Sequence, residues 1–156
     1  MTRDEFETWF AGPVENLKSN QNNGFIVIML CCAMVEAYAR AKDGGYSGRR
    51  LKKKHIEQIA KCIGISADLA QVFWAAFRHG LFHRLVLQGR TLKATQVNGV
   101  FIHHEGTDAV KLVGDELAVN PGALADAVLS ALRADITAIN AIDTAEIRSP
   151  SPSVQP

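Results

Sequence analysis

One short stretch of this 156-residue chain gathers side chains able to do proton and phosphate chemistry. It is "FRHGLFHR", residues 77–84, which holds Arg78, His79, His83 and Arg84. Histidine exchanges protons near neutral pH, and arginine offers phosphate oxygens a fixed fork of donors. Between them they supply the base, the acid and the cation that cutting a phosphodiester without metal requires. Other readings share the spacing. His79 and His83 stand at i and i+4, where two imidazoles on one helical face can hold a metal. No glutamate follows His79, however, so the H-E-x-x-H pattern of zinc proteases is missing. Arg78 and Arg84 can bind phosphate passively, and cations in a last helical turn also simply answer the helix dipole.

Arg78 and His83 are five residues apart, which on an ideal helix means about 7.5 Å of rise and roughly 140° of rotation. They share a face only if the helix unwinds, and Gly80 makes unwinding easier. One chain also offers one well-placed arginine and one histidine, whereas cleavage wants an acid as well as a base. Two copies of the motif across a two-fold axis would supply both.

The elements that must position these residues follow from apolar spacing. Thr2 caps a first helix with Phe6, Trp9 and Phe10 at helical intervals, and Gly12-Pro13 is expected to kink or break it. A second, very apolar helix spans about 24–42 and is expected at the centre. A third starts near Ser47 or Gly48, buries Leu51, Ile56, Ile59 and Ile63, and ends at Gly64. Ser66 caps a fourth, with Leu69, Val72, Phe73, Ala76, Phe77 and Gly80 on one stripe leading into the motif. From about 85 to 113 the period changes to short β-rich runs, and Asn98-Gly99 suggests a two-residue hairpin within an antiparallel sheet. Asn120 and Pro121 open a closing helix to about Asp143, with Leu124, Val128, Leu132, Ile136 and Ile139 inward. The fold class is mainly α: a bundle of about five helices with a small antiparallel β-hairpin sheet inserted before the last. It forms one domain over 1–143, followed by a Pro/Ser-rich tail over 144–156 that reads as disordered.

The net charge of +1 is unevenly spread. Residues 40–93 carry 12 Lys/Arg against 3 Asp/Glu, whereas 1–39 carry 2 against 5 and 94–156 carry 3 against 8. A basic middle suits a polyanion, and equally suits acidic ends folded over it. Cys31, Cys32 and Cys62 read as small core hydrophobes in a reducing compartment. The opening "MTRDEFETWF" is acidic and polar, and the apolar run 25–35 is shorter than the roughly 20 residues a membrane span needs. The expectation is a cytoplasmic protein with no membrane partner.

"FRHGLFH" resembles the R-x-x-x-x-H signature of the HEPN superfamily, with Arg78, His79 and His83 matching in type and spacing and "GLFH" similar to its common ending. The resemblance implies a helical bundle, a homodimer, and metal-independent cleavage of RNA without a cofactor, in a defence or toxin–antitoxin setting. An antitoxin or regulator is then a further partner. It implies that His83 is the acid/base group near the ribose 2′-hydroxyl, that Arg78 holds the scissile phosphate, and that His79 supports them. Members regulated through a tyrosine two residues after the histidine differ from this chain, which has Leu85 there. Some members have lost activity, so a non-catalytic nucleotide- or RNA-binding dimer module is the alternative.

Around the motif, Glu36 either faces solvent or pairs with Arg78 and orients it. Arg49, Arg50, Lys52, Lys53 and Lys54 form a solvated basic face that, beside such a site, would attract RNA backbone, with Arg84 adding charge. His103 and His104 are adjacent on a strand, one inward and one outward. Phe73, Trp74 and Phe77 read as core or dimer interface.

Overall fold

The computed structural model describes residues 1–45, 48, 50–77, 91–92, 95–97 and 99–140, with backbone alone at 91–92, 95–96, 136 and 137. The start of the β insertion near 85, Asn98 and the tail lie outside the described residues. Its elements are α1 (Arg3–Phe6), a π-helical segment (Glu7–Ala11), α2 (Gly12–Lys18), a 3-10 turn (Gln21–Asn23), α3 (Gly24–Ala41), α4 (Lys53–Ile63) and α5 (Ala67–Trp74). Strands β1 (Thr91–Leu92), β2 (Thr95–Gln96), β3 (Gly99–Ile102), β4 (Val110–Val113) and β5 (Glu116–Val119) follow, then α6 (Pro121–Ala134) and α7 (Ile136–Asn140). The protein is mainly helical with a small sheet, as expected.

The apolar α3 takes the centre. Val27, Ile28, Cys31, Cys32, Val35 and Ala39 are buried along it, at the three- and four-residue steps that keep one side inward. It packs on α2, α4, α6 and α7. Opposite it α6 presents Leu124, Val128 and Leu132, all buried, and Ile139 of α7 extends the stripe. The helix through Gln21–Ala41 has the length and mean hydropathy (1.7) of a membrane span, and half of that window is buried inside the fold. Cys31 and Cys62 are buried free thiols whose pKa values burial pushes up to about 12.

Several boundaries differ from expectation for identifiable reasons. Gly12-Pro13 does not break the first helix. The Gly12 N–H donates to the Glu7 carbonyl, a five-residue step, and the chain continues into α2. The extra residue turns Trp9 outward (38% exposed) while Phe6 stays buried. Arg133 of α6 fastens this segment from outside: Nε and Nη2 donate to the two Glu7 oxygens at 3.0 and 2.9 Å, and Nη1 to Glu15 at 3.3 Å. The closing helix stops at Asp135, which starts α7 instead. Its Oδ1 accepts from the Ala138 N–H, while Oδ2 accepts from the Tyr38 hydroxyl and the Lys42 ammonium.

The sheet is mixed, not antiparallel, and its order is β3-β5-β4. β4 and β5 form the hairpin, joined by Gly114-Asp115 with Gly114 at φ 62°, the positive value that a tight hairpin turn takes. β3 runs parallel to β5, with Gly99 opposite Glu116 and Ile102 opposite Val119. Among the described residues β2 and β3 do not pair; β2 pairs with β1 in a separate antiparallel ribbon. In the observed register Val110, Leu117 and Val119 are buried together with the half-buried Val100 and Ile102, while Phe101 and Val113 stand exposed on the other face.

Asn120 joins the sheet to the bundle. Its Oδ1 accepts from the Ala123 N–H at 3.1 Å to cap α6, and its Nδ2 donates to the Gly106 carbonyl at 3.0 Å, with Glu105 O at 3.4 Å. Losing the cap and stranding those carbonyls costs about 2 kcal/mol. Asn120→Ala is expected to lower the stability measured by urea unfolding by that amount. Asn120→Asp keeps the cap but sets a carboxylate against two carbonyls, so it too should be destabilised. An aspartate variant as stable as wild type would show that the link to the loop contributes nothing.

Candidate functional site

The motif sits just past the described part of α5. Ser66 Oγ accepts from the Leu69 N–H at the start of that helix, and Val72, Phe73, Ala76 and Phe77 are buried along it. The Phe73 and Phe77 rings meet at a 35° tilt with centroids 5.0 Å apart. The helix thus reaches the residue before Arg78 anchored in the core. The turn at 75–77 is π-helical, and Gly80, where unwinding is expected, lies outside the described residues. Arg78, His79, His83, Arg84 and Arg49 lie outside the described residues.

The other expected site residues are placed. Glu36 sits on α3 and receives Arg40: Nε and Nη2 donate to the same Glu36 oxygen at 3.0 and 2.7 Å, with both side chains largely buried. Arg40 Nη1 also donates to the Gly48 carbonyl at 2.7 Å, tying the loop after α3 back to the helix. Arg50 is exposed. Lys53 is the most open of Lys52, Lys53 and Lys54 (side chain 92% exposed) and stands 3.7 Å from Glu57. Lys52 and Lys54 both turn toward Asp43, Lys52 at 3.8 Å and Lys54 in direct contact. The segment is thus less uniformly available to phosphate than its sequence suggests, since two of its cations share one carboxylate.

The residue missed from sequence is His55. It is completely buried although the apolar stripe read for α4 placed Ile56 inward. The helix begins at Lys53 rather than near Gly48, with Leu51 before it, and Ile56 is only half-buried. The His55 Nδ1 accepts from the Lys52 N–H at 3.0 Å, and its Nε2 meets Asp43 Oδ2 at 2.9 Å. One imidazole therefore caps the start of α4 and anchors the turn after α3, holding Lys52 and Lys54 near the same carboxylate. The sequence signal was a histidine three residues after the cap position, where a glutamate or glutamine usually serves. The Lys54 ammonium bonded to Asp43, helped by His55, outweighs desolvation and holds that carboxyl below the usual carboxylate range.

His103 and His104 lie just past the end of β3 rather than on a strand, His103 half-buried and His104 exposed, and both line one surface groove instead of facing opposite sides. Among the described residues, no three His, Cys, Asp or Glu side chains are grouped to hold a metal ion. No protein-family model, curated protein or solved structure matches the chain.

The Asp43 cluster predicts a pH effect of defined sign. The Asp43 carboxyl is depressed in the folded state, so its stabilisation is present above the unfolded value of about 3.9 and is lost as pH falls through the lower folded value. Asp43→Asn is expected to be less stable than wild type at neutral pH and to lose less between about pH 5 and pH 2. Urea midpoints across that range test this. Parallel curves for the two proteins would show that Asp43 is not coupled to folding.

Proposed function

We propose that this chain is a HEPN-like, metal-independent endoribonuclease of the cytoplasm, cutting RNA at a composite site between two copies in a defence or toxin–antitoxin setting. The observation that carries the reading is the Arg78–His83 spacing at the end of a helix whose Phe73 and Phe77 are locked in the core. The mainly helical bundle is the architecture the resemblance requires.

In this reading a neutral His83 removes the proton from a ribose 2′-hydroxyl, and the 2′-oxygen attacks the adjacent phosphorus. The 5′-oxygen leaves, taking a proton from the second copy's histidine, and a 2′,3′-cyclic phosphate and a 5′-hydroxyl result. Arg78 neutralises the charge that grows on the phosphoryl oxygens. His79 supports the pair, and Glu36, already bound to Arg40, belongs to the charged scaffold alongside. Arg49, Arg50, Lys52, Lys53, Lys54 and Arg84 attract the backbone of the substrate strand.

His83→Ala is expected to lower single-stranded RNA cleavage by roughly 100-fold or more, and Arg78→Ala by a comparable factor, with EDTA leaving the wild-type rate unchanged. The rate should follow the dimer population measured by sedimentation. Unchanged cleavage in both variants, complete loss with EDTA, or full activity in a monomer would reject the mechanism. RNA binding by a dimer that cuts no strand offered would establish the non-catalytic module instead.

A further inference from the structure

The exposed face of the β3-β5-β4 sheet carries a groove of about 560 Å³ lined by Phe101, His103, His104, Glu105, Lys111 and Val113. The strand register sets Phe101, Ala118 and Lys111 in one row, because Ala118 of β5 faces Phe101 on one side and Lys111 on the other. With strands about 4.8 Å apart, the Cα atoms of Phe101 and Lys111 are separated by roughly 10 Å. Phe101 holds a large apolar ring at the surface, 36% exposed, and that ring lies 6.3 Å from the His103 ring at a 53° tilt. The His103 ring beside it is half-buried, with its Nε2 closed off from solvent and without a hydrogen-bond partner among the described residues. The Lys111 ammonium is only loosely engaged, 3.9 Å from the exposed Asp108 carboxylate.

These groups suit one kind of ligand. A flat π-system stacks on Phe101, its polar edge reaches the Glu105 carboxylate, and a single phosphate meets Lys111. One ammonium set against one carboxylate cannot hold a polyanion by its backbone, so the recognition is of a base. A second cavity of about 220 Å³ shares Gln21 and His104 with the groove, which leaves room for a strand to continue. We propose that the groove binds a nucleobase with its phosphate, as a free nucleotide or as one residue of single-stranded RNA. The strand form rests on the ribonuclease reading; the free-nucleotide form does not.

Calorimetric titration of the full chain tests this with three probes: nucleosides, their 5′-monophosphates, and a short 2′-O-methyl oligoribonucleotide, which lacks the hydroxyl needed for cleavage. Phe101→Ala is expected to weaken every bound probe roughly tenfold, whereas Phe101→Tyr, which keeps a ring, restores binding. Lys111→Gln should reduce the monophosphate toward the nucleoside and leave the nucleoside unchanged. Affinity for the oligonucleotide should fall by no more than about threefold between 50 and 200 mM salt, as one phosphate contact dictates. Tighter binding of the oligonucleotide than of the monophosphate assigns the groove to RNA, and equal binding assigns it to free nucleotide. No binding of any probe at millimolar concentration, or binding unaffected by Phe101→Ala, overturns the proposal. Binding with these dependences but no RNA cleavage leaves the groove standing and removes the nuclease. Cleavage through His83 with unaltered oligonucleotide binding by Phe101→Ala does the reverse.

Discussion

The bundle depends on burying one helix. α3 is too apolar to face water along most of its length, and α2, α4, α6 and α7 are arranged to cover it. The elements beyond it are placed by what they add to that cover. α6 supplies Leu124, Val128 and Leu132, and α4 supplies Ile59 and Ile63. α5 reaches the core through Phe73 and Phe77, so the segment bearing Arg78 departs from a rigid base. Each of these buried side chains contributes about 1.5–3 kcal/mol by leaving water, which is why the bundle needs no disulfide.

Polar side chains finish what burial begins, and they do so at helix ends. Asp135 gathers Ala138, Tyr38 and Lys42 where α6 gives way to α7. Asn120 serves the opposite end of α6, and His55 the start of α4. Each is a short side chain that satisfies backbone groups the helix cannot satisfy itself, while also reaching a second element. Because the two tasks fall on one residue, helix boundaries and tertiary contacts are set together. The burial of His55 shows the demand: an imidazole is accepted in the core because both its nitrogens are used.

Much of this was legible from residue spacing. The stripes Val72-Phe73-Ala76-Phe77 and Leu124-Val128-Leu132 stood out because apolar residues recur at helical steps, and Ser66, Gly64 and Asn120 marked the ends as capping chemistry requires. The failures share a cause, which is competition between local signals that only tertiary packing decides. Asn98-Gly99 and Gly114-Asp115 are both turn dipeptides, yet the hairpin forms at the second, where β5 can bury Leu117 and Val119. Gly12-Pro13 looked like a break because proline removes a donor, but an inserted residue absorbed the fault. Asp135 carries no periodic signal, since the partners that fix it, Tyr38 and Lys42, lie far off in sequence. Of the candidate site, the motif and the basic run were visible in sequence. The sharing of Asp43 by Lys52, Lys54 and His55 was not, since no periodicity encodes it.

The π turn at 75–77 has an implication for how this chain varies. A turn of this kind is an α-helix that has accepted one additional residue, and each residue of an α-helix advances the azimuth by about 100°. Upstream, the phase of α5 is set by its Ser66 cap, and Phe77 within the turn leans on Phe73. The insertion therefore acts as a vernier between a fixed core and whatever direction the following side chains take. Deleting a single residue there would return the turn to α geometry, and because Ala76 and Phe77 belong to the buried stripe, the core itself would register the change.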